Sequence, residues 1–333
     1  MPDSITILGD GAMGTVCSIL LDAGQHQSTL WGAFEESIDR LRQNRENARL
    51  LPGAKIPESV RLTANESDAF NNASMVISAI PTQYLRNTWK RLAPHLPAGI
   101  PVVSVTKGIE NDSLDRPSEI ISESTKSKNP VAVLSGPNIA AELAKYHPAS
   151  CVVAAEDASL AERVQRVMTT QWFRIYTSTD VIGVELAGAS KNVVALAAGM
   201  VDGLRAGNNA KSALVTRGLV EITRLGVALG AKPETFMGLA GLGDLITTCV
   251  SPEGRNRTVG EQLGRGKKLQ DILASMNNVA EGVATTRSVR ALAQRHNVEM
   301  PITEQVYQVL FENKDVLAAL SDLMSRDLKP ETR

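Results

Sequence analysis

The sequence predicts two consecutive domains: an α/β domain with a mostly parallel β-sheet, followed by an all-helical domain. Two observations support this prediction. In the first half of the chain, short stretches rich in β-branched residues alternate with helix-like stretches, which is typical of β-α-β units covered by helices on both faces. After about Asp180 the strand-like stretches stop and one helical pattern follows another. We therefore predict one domain over residues 1–181 and a second over residues 182–333.

The individual elements follow from the same patterns. The predicted strands cover residues 4–8, 28–32, 74–80, 101–105, 131–135 and 150–155. Helices between strands are predicted over residues 13–23, 82–93 and 158–168. In the second domain, helices are predicted over residues 181–204, 212–229, 259–263, 285–296 and 303–311.

Composition excludes several classes of function. Of the 333 residues, 43% are hydrophobic, and 35 basic against 36 acidic residues leave a net charge of −1, so we predict neither a nucleic-acid partner nor a membrane-surface patch. The three scattered cysteines, Cys17, Cys151 and Cys249, predict neither a disulfide framework nor a metal site. The N-terminus lacks a signal-peptide pattern, and we expect no run long enough to span a bilayer. These observations predict a cytoplasmic protein without membrane insertion.

A glycine-rich loop near the N-terminus predicts dinucleotide binding. Gly9, Gly11 and Gly14 form G-x-G-x-x-G directly after the first predicted strand and at the start of the first predicted helix. In such loops the first glycine makes the turn, the second lets the pyrophosphate approach the backbone, and the third lets the helix pack closely on the strand. The helix N-terminus then faces the phosphates. This context predicts a Rossmann-type domain that binds NAD or NADP; the alternative is an ordinary glycine-rich turn.

The end of the second predicted strand leaves the choice between NAD and NADP open. This position commonly supplies an acidic residue for the ribose hydroxyls of NAD, or lies near an arginine that binds the 2′-phosphate of NADP. Ala33 can do neither. Glu35 and Glu36 come slightly late, and an exposed start of the next helix explains them equally well.

Lys191 is the most unexpected residue of the helical domain. It lies beside Asn192 in the apolar stretch "VELAGASKNVVALAAG", residues 184–199, close to the predicted domain boundary, where clefts form. Burial disfavours the charged form of a lysine and lowers its pKa towards neutrality. A second lysine, Lys107, follows the strand predicted at residues 101–105, at the sheet edge where α/β proteins bind ligands.

Three other segments carry isolated polar groups. Asp244 stands in an otherwise uncharged, glycine-rich run, and two arginines flank Asn256 in a loop suited to an anion, because arginine presents a planar fork of donors. Glu281 lies at a predicted helix start, where a capping charge explains it equally well. Singly, each has a structural explanation such as a buried ion pair. Asp244, the Arg-Asn loop and the two lysines together predict an anionic-substrate site beside a nicotinamide. Since the four histidines lie outside these segments, a lysine would transfer the proton.

These segments resemble, in order, the bacterial type of NAD(P)-dependent glycerol-3-phosphate dehydrogenase. The resemblance runs almost end to end and includes "NRENARLLPG", "TKGIE", "SGP", "IGVELAGASKNVVALAAGMVDG", "NAKSALVTRGLVEITRLG", "GLAGLGDLITTC", "GRNR", "VAEGVATT" and "MPITEQVYQVL". It implies an enzyme that interconverts glycerol 3-phosphate and dihydroxyacetone phosphate with NAD or NADP and feeds phospholipid synthesis. It also implies a homodimer.

The resemblance implies roles for individual residues. Lys191 would donate and accept the proton, and Lys107 would contact both cofactor and substrate. Further substrate contacts are implied for Gly136, Asn138, Asp244, Gly254, Arg255 and Asn256. Further cofactor contacts are implied for Gly9, Gly11, Ala12, Met13, Gly14, Ala33, Ala140, Arg255, Val279 and Glu281.

The chain departs from the pattern of this family at several of these positions. Ala12 and Met13 replace a serine and an aromatic residue, Asn138 replaces a serine or threonine, and Gly254 replaces a serine. Ala33 stands where a histidine or arginine usually binds the adenosine phosphate, which slightly favours NAD over NADP.

Two alternative functions are consistent with parts of the sequence. One is a β-hydroxyacid dehydrogenase of the same architecture, whose glycine loop often reads G-x-G-x-M-G as here, although the segments around Asp244 and Arg255 fit that class less well. The other is a redox sensor that binds the dinucleotide without turnover, which the presence of Lys191 disfavours.

Overall fold

The N-terminal part of the protein is built on one eight-stranded sheet. The structure, a computed structural model, describes residues 3–276, 280–328 and 330–331. The strands are β1 (Ser4–Leu8), β2 (Gln27–Trp31), β3 (Arg61–Thr63), β4 (Met75–Ser78), β5 (Val102–Ser104), β6 (Val131–Ser135), β7 (Ala149–Ala155) and β8 (Phe173–Ser178). The helices among them are α1 (Ala12–Ala23), α2 (Glu35–Asn44), α3 (Glu66–Ala69), α4 (Thr82–Leu92), α5 (Pro117–Ser124), α6 (Ala140–Leu143) and α7 (Ala158–Met168).

The strand order places a crevice beside β1. The order is β3-β2-β1-β4-β5-β6-β7-β8, and all neighbouring pairs are parallel except β6 and β7. From β1 the chain runs outward through β2 to β3, and it then returns to the other side of β1 as β4. The carboxyl ends of β1 and β4 therefore flank the point where the strand order reverses, which is the usual ligand crevice of such sheets.

Both faces of this sheet are buried. Successive side chains of a strand point to opposite faces of the sheet. Ile5 and Ile7 of β1 belong to one hydrophobic cluster, and Leu8 belongs to another. Met75 and Val76 of β4 divide between the same two clusters. This burial on both faces explains the nearly continuous apolar runs that predicted these strands.

The C-terminal part is helical and is organised around one long helix. Its helices are α8 (Val181–Gly203), α9 (Asn208–Ala228), α10 (Pro233–Met237), α11 (Asp244–Val250), α12 (Arg255–Gly264), α13 (Leu269–Ala274), α14 (Glu281–Arg295), α15 (Pro301–Phe311) and α16 (Val316–Met324). Residues Gly183 to Val201 of α8 are buried without interruption. Because the protein surrounds α8 on all sides, the sequence of this helix shows no separate polar face.

Helix α12 packs backbone to backbone against α8. A Cβ placed on Gly260 would lie 2.0 Å from the carbonyl oxygen of Leu196, and one on Gly199 would lie 2.0 Å from that of Arg257. Glycine is therefore required at both positions for the two helices to cross this closely. The crossing fixes the start of α12, which carries Arg255 and Asn256, relative to Lys191 on α8.

One sequence-based expectation about membranes was wrong. By length and composition alone, α8 could cross a bilayer: it has 23 residues, and its most apolar 18-residue window has a mean hydropathy of 1.4. In the structure, 89% of its 18-residue apolar window is buried inside the protein, and a buried core helix passes the same test.

The predicted fold class, an α/β Rossmann-type part followed by helices, is confirmed, but two strands were missed. β3 has only three residues, too few for a pattern. β8 is an edge strand in which exposed Arg174 and Tyr176 alternate with buried Phe173 and Ile175, so no continuous apolar run marks it. β8 ends at Ser178 and α8 begins at Val181; a domain boundary after residue 181 stays a prediction.

Candidate active site

Several predicted site residues lie at the same edge of the sheet. β1, β4, β5 and β6 run in the same direction, so their carboxyl ends share one edge. Gly9 follows β1, Lys107 lies three residues beyond β5, and Gly136 follows β6. The topology therefore brings the glycine loop and the first lysine to the edge where open α/β sheets bind ligands.

The glycine loop has the geometry that its spacing predicted. Gly9 has φ +112°, which favours glycine, and a Cβ placed on it would lie 2.8 Å from the carbonyl oxygen of Ala79. A Cβ on Gly14 would lie 1.9 Å from the carbonyl oxygen of Gly9, so α1 can pack here only with glycine. At Gly11, the residue that precedes α1, such a Cβ would meet no described heavy atom within 4 Å beyond its chain neighbours. Space thus opens in front of a helix N-terminus.

A buried aspartate joins the two predicted lysines. Lys191 Nζ donates to Asp244 Oδ1 at 2.6 Å, and Lys107 Nζ donates to Asp244 Oδ2 at 2.8 Å. Asp244 is 2% exposed and Lys191 is 6% exposed. Two ammonium groups and one carboxylate in a site sheltered from water leave a local excess of positive charge, which suits an anionic ligand.

The remaining partners of the two lysines differ. Lys107 Nζ also donates to the carbonyl oxygen of Gly136 at 3.0 Å and to Asn138 Oδ1 at 2.7 Å. Lys191 Nζ has one further partner among the described residues, Thr248 Oγ1 at 2.6 Å. Because an ammonium has three donors, Lys107 uses all of them on the protein and Lys191 keeps one available.

Helix α8 reaches this edge because of a glycine. A Cβ on Gly188 would lie 2.6 Å from Ser135 Oγ, at the end of β6. Gly188 thus lets α8 approach the sheet, and Lys191, three residues later, lies on the same face of the helix. Within the described chain, Ser135 Oγ and Asn138 Nδ2 are buried without a hydrogen-bond partner. Such atoms are rare in folded proteins and point to a ligand or water at this position.

Burial lowers the pKa of Lys191 to about 8. Desolvation is the largest cause, because the charged form loses its hydration; nearby Lys107 acts in the same direction, and Asp244 opposes both. A lysine with this pKa exists in both protonation states near neutral pH, as a general acid and base requires.

The N-terminus of α12 forms the other side of the site. Asn256 Oδ1 accepts a hydrogen bond from the backbone N–H of Gly282 at 3.0 Å, which ties α12 to the first turn of α14. A Cβ on Gly282 would lie 2.8 Å from Asn256 Oδ1 and from the carbonyl oxygen of Asn192, so three helices converge here. Arg255 and Gly254 stand at the start of α12, where backbone N–H groups without intrahelical partners and the helix dipole attract anions.

Glu281 begins α14 beside this helix start. Burial raises the pKa of Glu281, and the positive charges of Arg255, Lys107 and Lys191 act against that rise. These interactions place half-buried Glu281 within the electrostatic reach of the site. Val279, a predicted cofactor contact, lies outside the described residues.

Comparison with known proteins identifies the family. The model described as "NAD-dependent glycerol-3-phosphate dehydrogenase N-terminus" matches residues 4–161, and the corresponding C-terminus model matches residues 180–321. The chain belongs to this family. It is 46% identical to glycerol-3-phosphate dehydrogenase [NAD(P)+] of Citrifermentans bemidjiense over 99% of both chains, and 45% identical to the enzyme of that name from Streptomyces griseus over 100% and 99%.

Solved structures agree with this membership in the glycerol-3-phosphate dehydrogenase family. The crystal structure of glycerol-3-phosphate dehydrogenase from Coxiella burnetii matches with a TM-score of 0.94 and 34% identity, covering 98% of this chain and 99% of that one. A ketopantoate reductase from Ralstonia eutropha has a TM-score of 0.61 at 13% identity, which shows a shared fold only.

The remaining predicted cofactor contacts lie on opposite faces of the sheet. Ala12, Met13 and Ala140 are partly buried against one hydrophobic cluster, so the glycine loop and the start of α6 lie on the same face of the sheet. Ala33 lies beyond β2, against the cluster on the opposite face. Phe34, the next residue, is 73% exposed at the start of α2.

Sequence reasoning did not single out Thr248. It lies one helical turn after Asp244 on α11, donates to the backbone oxygen of Asp244 at 2.6 Å and receives the hydrogen bond of Lys191. The i, i+4 spacing from the isolated aspartate was the available signal. Among the described residues, no three His, Cys, Asp or Glu side chains come together as a metal site, and all three cysteines are free and buried.

Proposed function

We infer that the chain is an NAD(P)-dependent oxidoreductase that interconverts sn-glycerol 3-phosphate and dihydroxyacetone phosphate by hydride transfer and so supplies glycerol 3-phosphate for phospholipid synthesis. Its family and its relatives support this reaction. The observation that carries it in the structure is the pair of lysines held on Asp244 at the ligand edge of the sheet.

The residues of the glycine loop fit a dinucleotide. The open space at Gly11 in front of α1 suits a pyrophosphate, because the backbone N–H groups and the helix dipole there favour a negative charge. Gly9, Ala12, Met13 and Gly14 complete this proposed contact, and the further proposed cofactor contacts are Ala33, Lys107, Ala140, Arg255, Val279 and Glu281. When bound, the nicotinamide supplies or accepts the hydride.

Lys191 is the proposed general acid and base. Its one donor without a protein partner among the described residues can face the substrate oxygen, while Asp244 and Thr248 fix the direction of the ammonium. During reduction Lys191 Nζ gives a proton to the oxygen that was the ketone, and during oxidation Nζ takes it back. The pKa of about 8 makes both directions possible near neutral pH.

Lys107 and its partners are proposed to hold the substrate in place. Its three protein hydrogen bonds fix the position of Lys107 Nζ, so its proposed contribution is to orient the substrate and stabilise it electrostatically. Gly136 and Asn138 accept hydrogen bonds from Lys107 through their oxygens. Asn138 Nδ2 has no partner among the described residues and is therefore available to donate to the substrate.

The start of α12 is the proposed phosphate site. Arg255 offers a planar fork of donors, Asn256 is fixed through Gly282, and Gly254 precedes a helix whose first N–H groups lack intrahelical partners. This arrangement supports binding of the dianionic end of a phosphorylated three-carbon substrate.

Several proposals rest on the family resemblance and the composition. We propose a homodimer, a cytoplasmic location without membrane insertion, no nucleic-acid partner, and a domain boundary between residues 181 and 182. The burial of α8 inside the protein supports the proposal that it is a core helix.

A spectrophotometric assay tests the proposed function. Oxidation of NADH or NADPH is followed with dihydroxyacetone phosphate and, separately, with a panel of 2-keto and 3-keto acids. We expect turnover with the phosphorylated ketone alone. Preference for a keto acid would support the β-hydroxyacid alternative, and cofactor binding without turnover of any substrate would support a redox sensor.

A further inference from the structure

Asp10 lies inside the glycine loop, between Gly9 and Gly11, and its backbone is held in place. Asn47 Nδ2 donates to the carbonyl oxygen of Asp10 at 2.8 Å and to Thr15 Oγ1 at 3.1 Å. Asn47 is 6% exposed, so this bridge between the loop and α1 is buried. The position of Asp10 is therefore set by the same structure that shapes the proposed dinucleotide site.

The side chain of Asp10 extends to the end of β2. Its Oδ2 accepts a hydrogen bond from Ser37 Oγ at 2.5 Å, and Ser37 lies in the first turn of α2. A Cβ placed on Gly32, directly after β2, would lie 2.9 Å from Cγ of Asp10. The carboxylate therefore occupies the space that any side chain at Gly32 would need.

The end of the second strand is where Rossmann-type domains read the adenosine ribose. An acidic residue there accepts hydrogen bonds from the ribose hydroxyls of NAD, and a cation there binds the 2′-phosphate of NADP. β2 of this chain is followed by Gly32 and Ala33, which offer neither. A carboxylate nevertheless lies at this place, supplied by the neighbouring loop.

We propose that Asp10 is the residue that selects NAD over NADP. This inference rests on the proposed dehydrogenase function. Ser37 holds Oδ2, and Oδ1 receives no hydrogen bond from the described residues, so it can accept one from the ribose 2′-hydroxyl. A 2′-phosphate at the same place would bring close to two negative charges against the Asp10 carboxylate, and like charges repel strongly when partly shielded from water.

Arg40 and Arg42, two arginines of α2, are engaged with other carboxylates. Arg42 pairs with Glu35 at 2.7 Å and with Asp39 at 2.7 Å, and Arg40 pairs with Glu36 at 3.0 Å. To neutralise a 2′-phosphate, either side chain would have to leave its partner. The acidic start of α2 therefore adds to the discrimination by Asp10.

The test is the ratio of kcat/KM for NADH to kcat/KM for NADPH in an Asp10→Asn variant. Asparagine keeps the shape and can still accept from Ser37, but it removes the negative charge. We expect the ratio to fall by at least about 10-fold, the value of one charge-assisted hydrogen bond. The matched control is Asp22→Asn: Asp22 also accepts a serine hydroxyl, from Ser59, but lies near the other end of α1, so its ratio should not change.

Two further measurements separate this inference from the proposed function. The dissociation constants of NADH and NADPH, measured by nicotinamide fluorescence, give the same ratio without turnover, so a protein inactive on dihydroxyacetone phosphate would refute only the function. Ser37→Ala, which removes the hydroxyl that orients Asp10, should lower the ratio in the same direction, and it replaces Asp10→Asn if that variant does not fold. A ratio within two-fold of wild type in the folded variant would overturn the role of Asp10.

Discussion

Lys191 and Lys107 share one aspartate, yet their surroundings give them different chemistry. Lys107 donates its three hydrogen bonds to Gly136, Asn138 and Asp244, so the protein fixes the position of its Nζ. Lys191 has two protein partners among the described residues and a lowered pKa. Hydrogen-bond saturation at one lysine and desolvation at the other therefore separate a positioning group from a proton donor on the same aspartate.

Replacing Lys191 with alanine tests its role directly. We expect turnover to fall by about 10²- to 10⁴-fold, the usual contribution of general acid–base catalysis, while NADH binding stays near normal. Lys191→Arg should not restore activity, because a guanidinium does not release its proton near neutral pH. Steady-state kinetics and a cofactor-binding titration provide the comparison, and near-normal turnover of the alanine variant would rule out the assignment.

The pH dependence of the two reaction directions follows from the pKa of Lys191. Reduction needs the ammonium form, so above a pH of about 8 its kcat/KM should fall, whereas kcat/KM for oxidation should rise up to this pH. Asp244 raises this pKa through its negative charge, so Asp244→Asn should move both transitions to lower pH. Profiles that extend from well below to well above pH 8 test this direction, and a transition moved to higher pH would contradict it.

At the scale of elements, sequence patterns predicted what is repetitive and missed what depends on contacts between distant segments. β1 and α7 were predicted with their observed bounds, because β-branched content and helical spacing are local properties. β3 was missed because three residues form no pattern. The side chain of Asp10 reaches the end of β2 through a contact with Ser37, 27 residues away, and no spacing rule predicts that.

The site was predictable in part for the same reason. Lys191 and Asp244 were conspicuous as charges within apolar surroundings, and the structure joins them at 2.6 Å. Their common partner Thr248 was not conspicuous, because threonine is neutral and ordinary in a helix. The hydrogen-bond saturation of Lys107 depends on the fold and could not be read from spacing.

The first turn of α1 separates a structural glycine from one that faces the cofactor. Gly14→Ala should destabilise the protein by about 1–3 kcal/mol or more, because its Cβ would fall 1.9 Å from the backbone oxygen of Gly9. Gly11→Ala, the matched control, meets no described atom and should leave the melting temperature nearly unchanged while weakening NADH binding. Thermal unfolding and cofactor titration distinguish the two, and equal melting temperatures would contradict the packing argument.

Ala33, just beyond the end of β2, is the subject of a second prediction about the choice between NADH and NADPH. We expect the wild type to use NADH at least as well as NADPH, and Ala33→Arg to shift kcat/KM towards NADPH by about 10-fold, since a guanidinium binds a phosphate with charge-assisted hydrogen bonds. Ala33→Gln is the control of similar length without charge. A native preference for NADPH on the order of 100-fold, about 2.7 kcal/mol, would show that another residue binds the 2′-phosphate.

At the scale of the whole molecule, the site depends on hydrogen bonds that join the helical part to the sheet part. Glu185 on α8 accepts from the backbone N–H of Ser118 at 2.8 Å, from Ser118 Oγ at 2.6 Å and from Arg116 at 2.7 Å. Glu185 is buried, so these bonds are sheltered from water. They hold α8, and with it Lys191, against the edge that carries Lys107.

The proposed substrate site also spans both parts of the molecule. Lys107, Gly136 and Asn138 come from the sheet, whereas Arg255 and Asn256 come from α12, which is fixed by its glycine-mediated crossing with α8. A substrate with a phosphate at one end can contact both sides at once. Binding energy at the phosphate can then position the distant carbonyl carbon, and an unphosphorylated ketone loses that advantage.

We expect the wild type to have a much higher kcat/KM for dihydroxyacetone phosphate than for dihydroxyacetone. Arg255→Lys keeps the positive charge but loses the planar fork, so KM for the phosphorylated ketone should rise clearly. With the cofactor kept saturating, because Arg255 is also a proposed cofactor contact, kinetics with the unphosphorylated ketone should change much less. This split matters because damage to the fold would lower the rates with both ketones. Steady-state kinetics on both substrates provide the test, and equal efficiency of the wild type on the two ketones would show that α12 does not bind the phosphate.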